Sequence, residues 1–162
     1  MRSTGIIPDA WGATLKFLAH EYFHHYNVKR IRPLELGPFD YGRPNRTRLL
    51  WMAEGFTVYY ETIVMRRAGF LSEDEMLAAA ASPINAVERR PGRLVQSAAE
   101  SSYISWDQGP FGGDPVTTVS YYDKGAAIAL LLDLAIRKAT AGVRSLDDAM
   151  RALYREYYRE KG

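Results

Sequence analysis

Apolar residues recur at helical spacing along most of the chain. Leu15, Phe17, Leu18, Tyr22 and Phe23 predict a first helix from Gly12 to about Tyr26. Pro33, Gly37, Pro38 and Gly42 mark a loop over 32–44. A second helix is expected to open at Asn45, a good N-cap, and to run to about Arg67 before Gly69 stops it. Ser72-Glu73-Asp74-Glu75 reads as a capping box opening a third helix. Pro83 is expected to break or restart that helix, giving two shorter pieces before Pro91-Gly92. Gly109, Pro110, Gly112 and Gly113, with Trp106 and Phe111 among them, make 105–115 a loop placed beside the functional site. Ser120 caps a long apolar helix from Tyr121 to Ala139, ended by Gly142, and Ser145-Leu146-Asp147-Asp148 caps a last helix to about Arg159. Period-two alternation is scarce, so the expected fold class is mainly α.

Composition narrows this further. The 162 residues suit a single domain spanning 1–162 with one sizeable core. With 47% hydrophobic and 25% charged residues the chain reads as globular, not disordered. A net charge of +2 gives no argument for nucleic acid. Lys29, Arg30 and Arg32 read as a solvated turn after a helix in preference to a phosphate or carboxylate contact. The longest apolar run, Ala126 to Leu132, is too short to span a bilayer, so no membrane partner is expected. Residues 1–8 lack the apolar core of a secretion signal, which leaves the compartment open with the cytoplasm as default. There are no cysteines, so any zinc site must be built from histidine and carboxylate.

The candidate chemistry lies in His20-Glu21-Tyr22-Phe23-His24, an H-E-x-x-H sequence on the first predicted helix. Side chains four apart on a helix lie one turn above one another, so both imidazoles can reach one cation. Glu21 stands beside them, where it can take a proton from water. The bland alternative makes the two histidines ordinary polar positions of an amphipathic helix. Catalytic zinc takes three protein ligands and keeps one position open. His25 is turned away from the His20/His24 face and suits a hydrogen-bonding or rim role, so the third ligand must be an acid. Glu54 stands among Trp51, Met52, Phe56 and Tyr59, where a carboxylate is costly to bury unless it is paired or metal-bound. It leads Glu61, which stays open as a competitor.

H-E-x-x-H followed by W-x-x-E-G-F resembles the ligand arrangement of the gluzincin metallopeptidases. The longer strings HEYFHHYNVKRIRPLELGPFDY, LLWMAEGFTVYYE and SYYDKG closely resemble the glycyl aminopeptidase family, in the same order and over most of 20–134. The resemblance implies the helical catalytic lobe of a thermolysin-like, gluzincin metallopeptidase. It implies His20, His24 and Glu54 as ligands of one Zn2+ and Glu21 as the catalytic glutamate. The Tyr121-Tyr122-Asp123-Lys124-Gly125 block looks like the element that supplies a catalytic phenol in related aminopeptidases, which implies Tyr122, with Tyr121 as competitor if the register slips. A phenol at a helix N-terminus is suited to stabilising an oxyanion.

The implied function is a zinc peptidase acting on peptide substrates, an aminopeptidase releasing N-terminal glycine or another small residue. A zinc endopeptidase and a non-catalytic metal-binding or scaffolding module are the alternatives. Asn27, Thr57 or a backbone carbonyl are candidates to orient the histidines, and Lys124 is expected in a structural ion pair. Asp9 is the only acid before His20, so the anchor for a substrate's α-ammonium is expected elsewhere. Family members are also expected to carry an N-terminal β-rich domain and a PDZ-like domain. The chain therefore reads as an excised helical lobe, weakly active or inactive alone.

Overall fold

A computed structural model describes residues 9–159, without the side chains of Asp9 and Ala10. The expectations placed on residues 1–8 and on the Asp9 carboxylate therefore fall outside the described part. Seven α-helices follow in order: α1 (Asp9–Phe23), α2 (Phe56–Arg67), α3 (Glu73–Glu88), α4 (Ala98–Tyr103), α5 (Ser105–Gln108), α6 (Tyr121–Ala139) and α7 (Leu146–Tyr154). Among the described residues there is no β-strand, only one isolated bridge between Asn27 and Ile31. Among the described residues no helix is long and apolar enough to cross a membrane.

α2 is the centre of the packing and touches α1, α3 and α6. Phe56, Tyr59 and Tyr60 enter the core with Ile31, Ala129, Leu146 and Met150. Phe23, at the end of α1, stacks on Tyr60 with ring centroids 4.5 Å apart. The other apolar positions of α1 do not mark its buried face. Phe17, Leu18 and Tyr22 are exposed, because among the named elements α1 packs only on α2.

Several boundaries differ from the sequence expectation. α1 stops at Phe23, and His24 lies in the turn beyond it. Helical backbone resumes at Leu50, not Asn45. The Asn45 carboxamide is instead committed to the loop, exchanging two 2.9 Å hydrogen bonds with the Asp40 backbone. A π-helical turn, Trp51–Gly55, then leads into α2. α3 runs unbroken through Pro83. The Ser72/Glu75 capping box and packing on α6 offset the roughly 3 kcal/mol that an interior proline costs. The glycine-rich loop begins with one helical turn, α5, and α4 is a short helix capped by Ser97. α6 has the expected limits, with the Ser120 hydroxyl accepting from the backbone N–H groups of Tyr122 and Asp123. α7 gives way to a second π-turn, Arg155–Arg159.

Two contacts fix α6 against the rest. Gly55 and Gly125 meet backbone to backbone, and a Cβ on Gly125 would overlap the Trp51 carbonyl. Asp133, buried, accepts from the Tyr59 hydroxyl at 2.8 Å, Arg137 Nε at 2.7 Å and the Leu146 N–H at 2.6 Å. One carboxylate thus joins α2, α6 and the start of α7. Burial works to raise its pKa, but the Leu146 N–H, Arg137 and Tyr59 outweigh burial and hold it below the ordinary aspartate value. Without Asp133 the buried Tyr59 hydroxyl and the Leu146 N–H lose their acceptor, at roughly 1–3 kcal/mol each, so Asp133→Ala is expected to lose about 2–6 kcal/mol of stability in urea unfolding. The folded pKa lies below the unfolded one, so this contribution is present above about pH 4 and is lost as pH falls through the folded value. A variant gap that stays constant down to pH 2 would contradict it.

Candidate metal centre

The last turn of α1 presents His20, and the His24 N–H to His20 carbonyl bond at 3.3 Å carries the helical spacing one step past the helix. The π-turn presents Glu54 to the same point. His20 Nε2 and His24 Nε2 are 3.2 Å apart, and Glu54 Oε2 lies 3.3 Å from the first and 3.2 Å from the second. A tetrahedral zinc with bonds of about 2.0–2.1 Å has ligand–ligand edges of about 3.3–3.4 Å. All three edges seen here fit that triangle closely, and the donor set suits the ion. Among the described residues these are the three side chains grouped to hold a cation.

The outer nitrogens explain why both Nε2 atoms face inward. His24 Nδ1 lies 3.1 Å from the Asn27 carbonyl, which can only accept, so Nδ1 carries the hydrogen. His20 Nδ1 donates to Glu61 at 2.8 Å, and the other Glu61 oxygen pairs with Lys16 Nζ at 3.0 Å. In a neutral imidazole this leaves Nε2 as a lone pair. Two such lone pairs and a carboxylate oxygen converge here, an arrangement that attracts a cation or a proton. Burial works against a charged His20, but Glu54 and Glu61 outweigh it and raise its pKa to about 9. Burial works to raise Glu54, and the two histidines outweigh it and lower its pKa to about 2. Protons and a metal ion compete for the same nitrogens.

Glu61 is therefore placed against His20 from outside the triangle, not as its third corner. Its orienting role was not anticipated, although it lies seven residues after Glu54, two helical turns along the same face. Lys16 lies one turn before His20 and was not anticipated either. Asn27 orients His24 through its main chain, and its side chain turns elsewhere. Thr57 is buried and hydrogen-bonds to the Ala53 carbonyl at 2.7 Å.

Tyr122, in the first turn of α6, lies over His20 with ring centroids 6.4 Å apart and planes 22° apart. Phe111, from the glycine-rich loop, lies 5.6 Å from the Tyr122 ring. Burial, followed by the charge of Glu54, pushes the Tyr122 phenol above its ordinary pKa, so it stays protonated and able to donate. Tyr121 stacks on Tyr122 at 4.9 Å and is itself buried. Glu21 is exposed beside His20 and forms no hydrogen bond or ion pair among the described residues. His25 is exposed, with its ring 5.7 Å from that of Tyr22. Arg30 donates to the His25 carbonyl and lies over Tyr158, and Lys29 and Arg32 are exposed, as a solvated turn requires. Lys124 forms no ion pair among the described residues: its ammonium donates to the carbonyls of Arg93 at 3.0 Å and Gln96 at 2.6 Å.

The fold of the chain matches a crystal structure of an aminopeptidase N family protein from Idiomarina loihiensis. The TM-score is 0.88 at 30% identity, over 97% of this chain and 27% of that one. The fold is thus the helical catalytic domain of an aminopeptidase-like peptidase. Residues 13–128 match the family model described as M61 glycyl aminopeptidase, and the chain belongs to that family of peptidases. No curated protein sequence matches it. The chain spans 27% of the length of the solved relative.

Proposed function

We propose that the chain carries the catalytic centre of a zinc-dependent aminopeptidase that releases N-terminal glycine or another small residue. The observation that carries this reading is the triangle of His20 Nε2, His24 Nε2 and Glu54 Oε2 with edges of 3.2–3.3 Å. Both imidazoles are turned inward by acceptors on their outer nitrogens. His20, His24 and Glu54 would hold the ion. When bound, zinc supplies a Lewis acid for the scissile carbonyl and for water.

The chain's other residues account for the proton transfers. Glu21, exposed and next to His20 in the chain, accepts the proton of the attacking water and delivers it to the departing amine in this reading. Tyr122 keeps its proton and donates a hydrogen bond to the carbonyl oxygen as negative charge builds there. Glu61 and the Asn27 carbonyl hold the two rings in place. The family match supports the exopeptidase part of the proposal. In this reading the β-rich and PDZ-like domains of a longer polypeptide complete the substrate cleft and supply the α-ammonium anchor, and the helical lobe alone turns over weakly.

The test is metal content together with a peptide panel. The protein is expected to hold one zinc per chain and, in its full-length form, to cleave glycyl peptides with free amino termini in preference to N-acetylated ones. Equal cleavage of both would make it an endopeptidase. Zinc binding without hydrolysis of either by the full-length form would leave a metal-binding module.

A further inference from the structure

We infer that Asn27 is a positioning residue that holds the two ligand-bearing segments in register, His24 through its main chain and Glu54 through its carboxamide. The side chain is 1% exposed. Its carbonyl accepts from His24 Nδ1 at 3.1 Å. Its Nδ2 lies 3.0 Å from the Met52 carbonyl, 2.9 Å from the Ala53 carbonyl and 3.2 Å from Thr57 Oγ1. Met52 and Ala53 belong to the π-turn that presents Glu54. A single buried residue therefore touches both arms of the triangle.

The π-turn makes this attachment matter. A π-turn holds one residue more than the α-helical turn it interrupts. Rewinding it as α-helix would rotate the residues before the rewound point by about 100° around the axis. Such a rotation takes the Glu54 carboxylate off the line to the imidazoles. The Gly55–Gly125 contact permits the wide turn, the Ser102 hydroxyl accepts its first N–H from Trp51 at 2.9 Å, and Asn27 fastens its middle. Water does not reach a buried carboxamide, so removing its N–H groups takes one donor from the Met52 carbonyl and one from the Ala53 carbonyl, which keeps the Thr57 hydroxyl.

The backbone beside Asn27 supports a special placement. Val28 has φ +100°, a left-handed value that a β-branched residue rarely adopts. Strain of this kind persists where the surrounding structure enforces it. Here it falls at the residue that follows the doubly attached asparagine.

This inference rests on the reading of His20, His24 and Glu54 as zinc ligands, and the experiment separates the two. The zinc dissociation constant is measured by chelator competition for wild type, Asn27→Ala, Glu54→Ala and the double variant, with unfolding curves for each. Asn27→Ala is expected to weaken zinc about 10–100-fold, the range for residues that orient metal ligands. In the Glu54→Ala background the same change is expected to have almost no further effect, because the carboxamide acts through Glu54. The cobalt-substituted spectrum of Asn27→Ala is expected to move toward that of Glu54→Ala. Asn27→Asp keeps the shape but turns donors into acceptors. It is expected to weaken zinc as well, so it provides the reading if the alanine variant does not fold. Wild-type affinity in a folded Asn27→Ala or Asn27→Asp protein would overturn the inference alone, as would loss of affinity that simply adds to that of Glu54→Ala. Absence of zinc binding by the wild type would overturn the inference and the ligand reading together.

Discussion

Glu54→Ala is expected to abolish hydrolysis and to weaken zinc binding by more than about a hundredfold, while the protein stays folded. The carboxylate is one of three donors in the triangle and its only anionic one, so its loss removes both a bond and the charge that offsets the cation. The other acid that touches a ligand is Glu61, whose oxygens are committed to His20 Nδ1 and Lys16 Nζ. It cannot take over without releasing the ring it orients. Equilibrium dialysis followed by elemental analysis gives the result directly. Metal content equal to wild type would show that Glu54 is no ligand, and the hydrolase reading would fall with it.

A second large effect is expected at Glu21, with the opposite signature. Glu21→Gln should leave zinc content unchanged and lower kcat by about 10²–10⁴-fold, the usual contribution of a positioned general base. The amide has nearly the same shape, cannot accept the water proton at neutral pH, and replaces a side chain that makes no hydrogen bond or ion pair among the described residues. Urea unfolding of this variant should match wild type. Retained turnover would sink the assignment of Glu21 as base. Together the two variants separate holding the ion from using it.

Much of this was legible along the chain because the signals are local. A hydroxyl cap at Ser120 and a glycine at 142 bracket α6 in sequence as they do in space. The spacing of His20 and His24 needs only helix geometry to bring the two rings together. Glu54 was legible from its apolar neighbours and from the family resemblance. The turn that carries it was not. An inserted residue in a helix leaves no compositional mark, and the π-turn is held by Gly125, Asn27 and Ser102, all distant in sequence. The same reason hid the role of Glu61, since an acid on a buried helix looks alike whether it binds a cation or a ring nitrogen. Pro83 misled because its penalty is local, while the packing that offsets it comes from α6. Lys124 misled because a buried ammonium can be satisfied by carbonyls as well as by a carboxylate.

The meeting of Gly55 with Gly125 has a consequence for how the centre responds to heat. It lies one residue from Glu54 and three from Tyr122, so main-chain contact, not long side chains, governs the gap between the two backbones that carry the carboxylate and the phenol. Rotamer hopping on warming leaves that gap nearly unchanged. A single methyl group at either glycine would reset it.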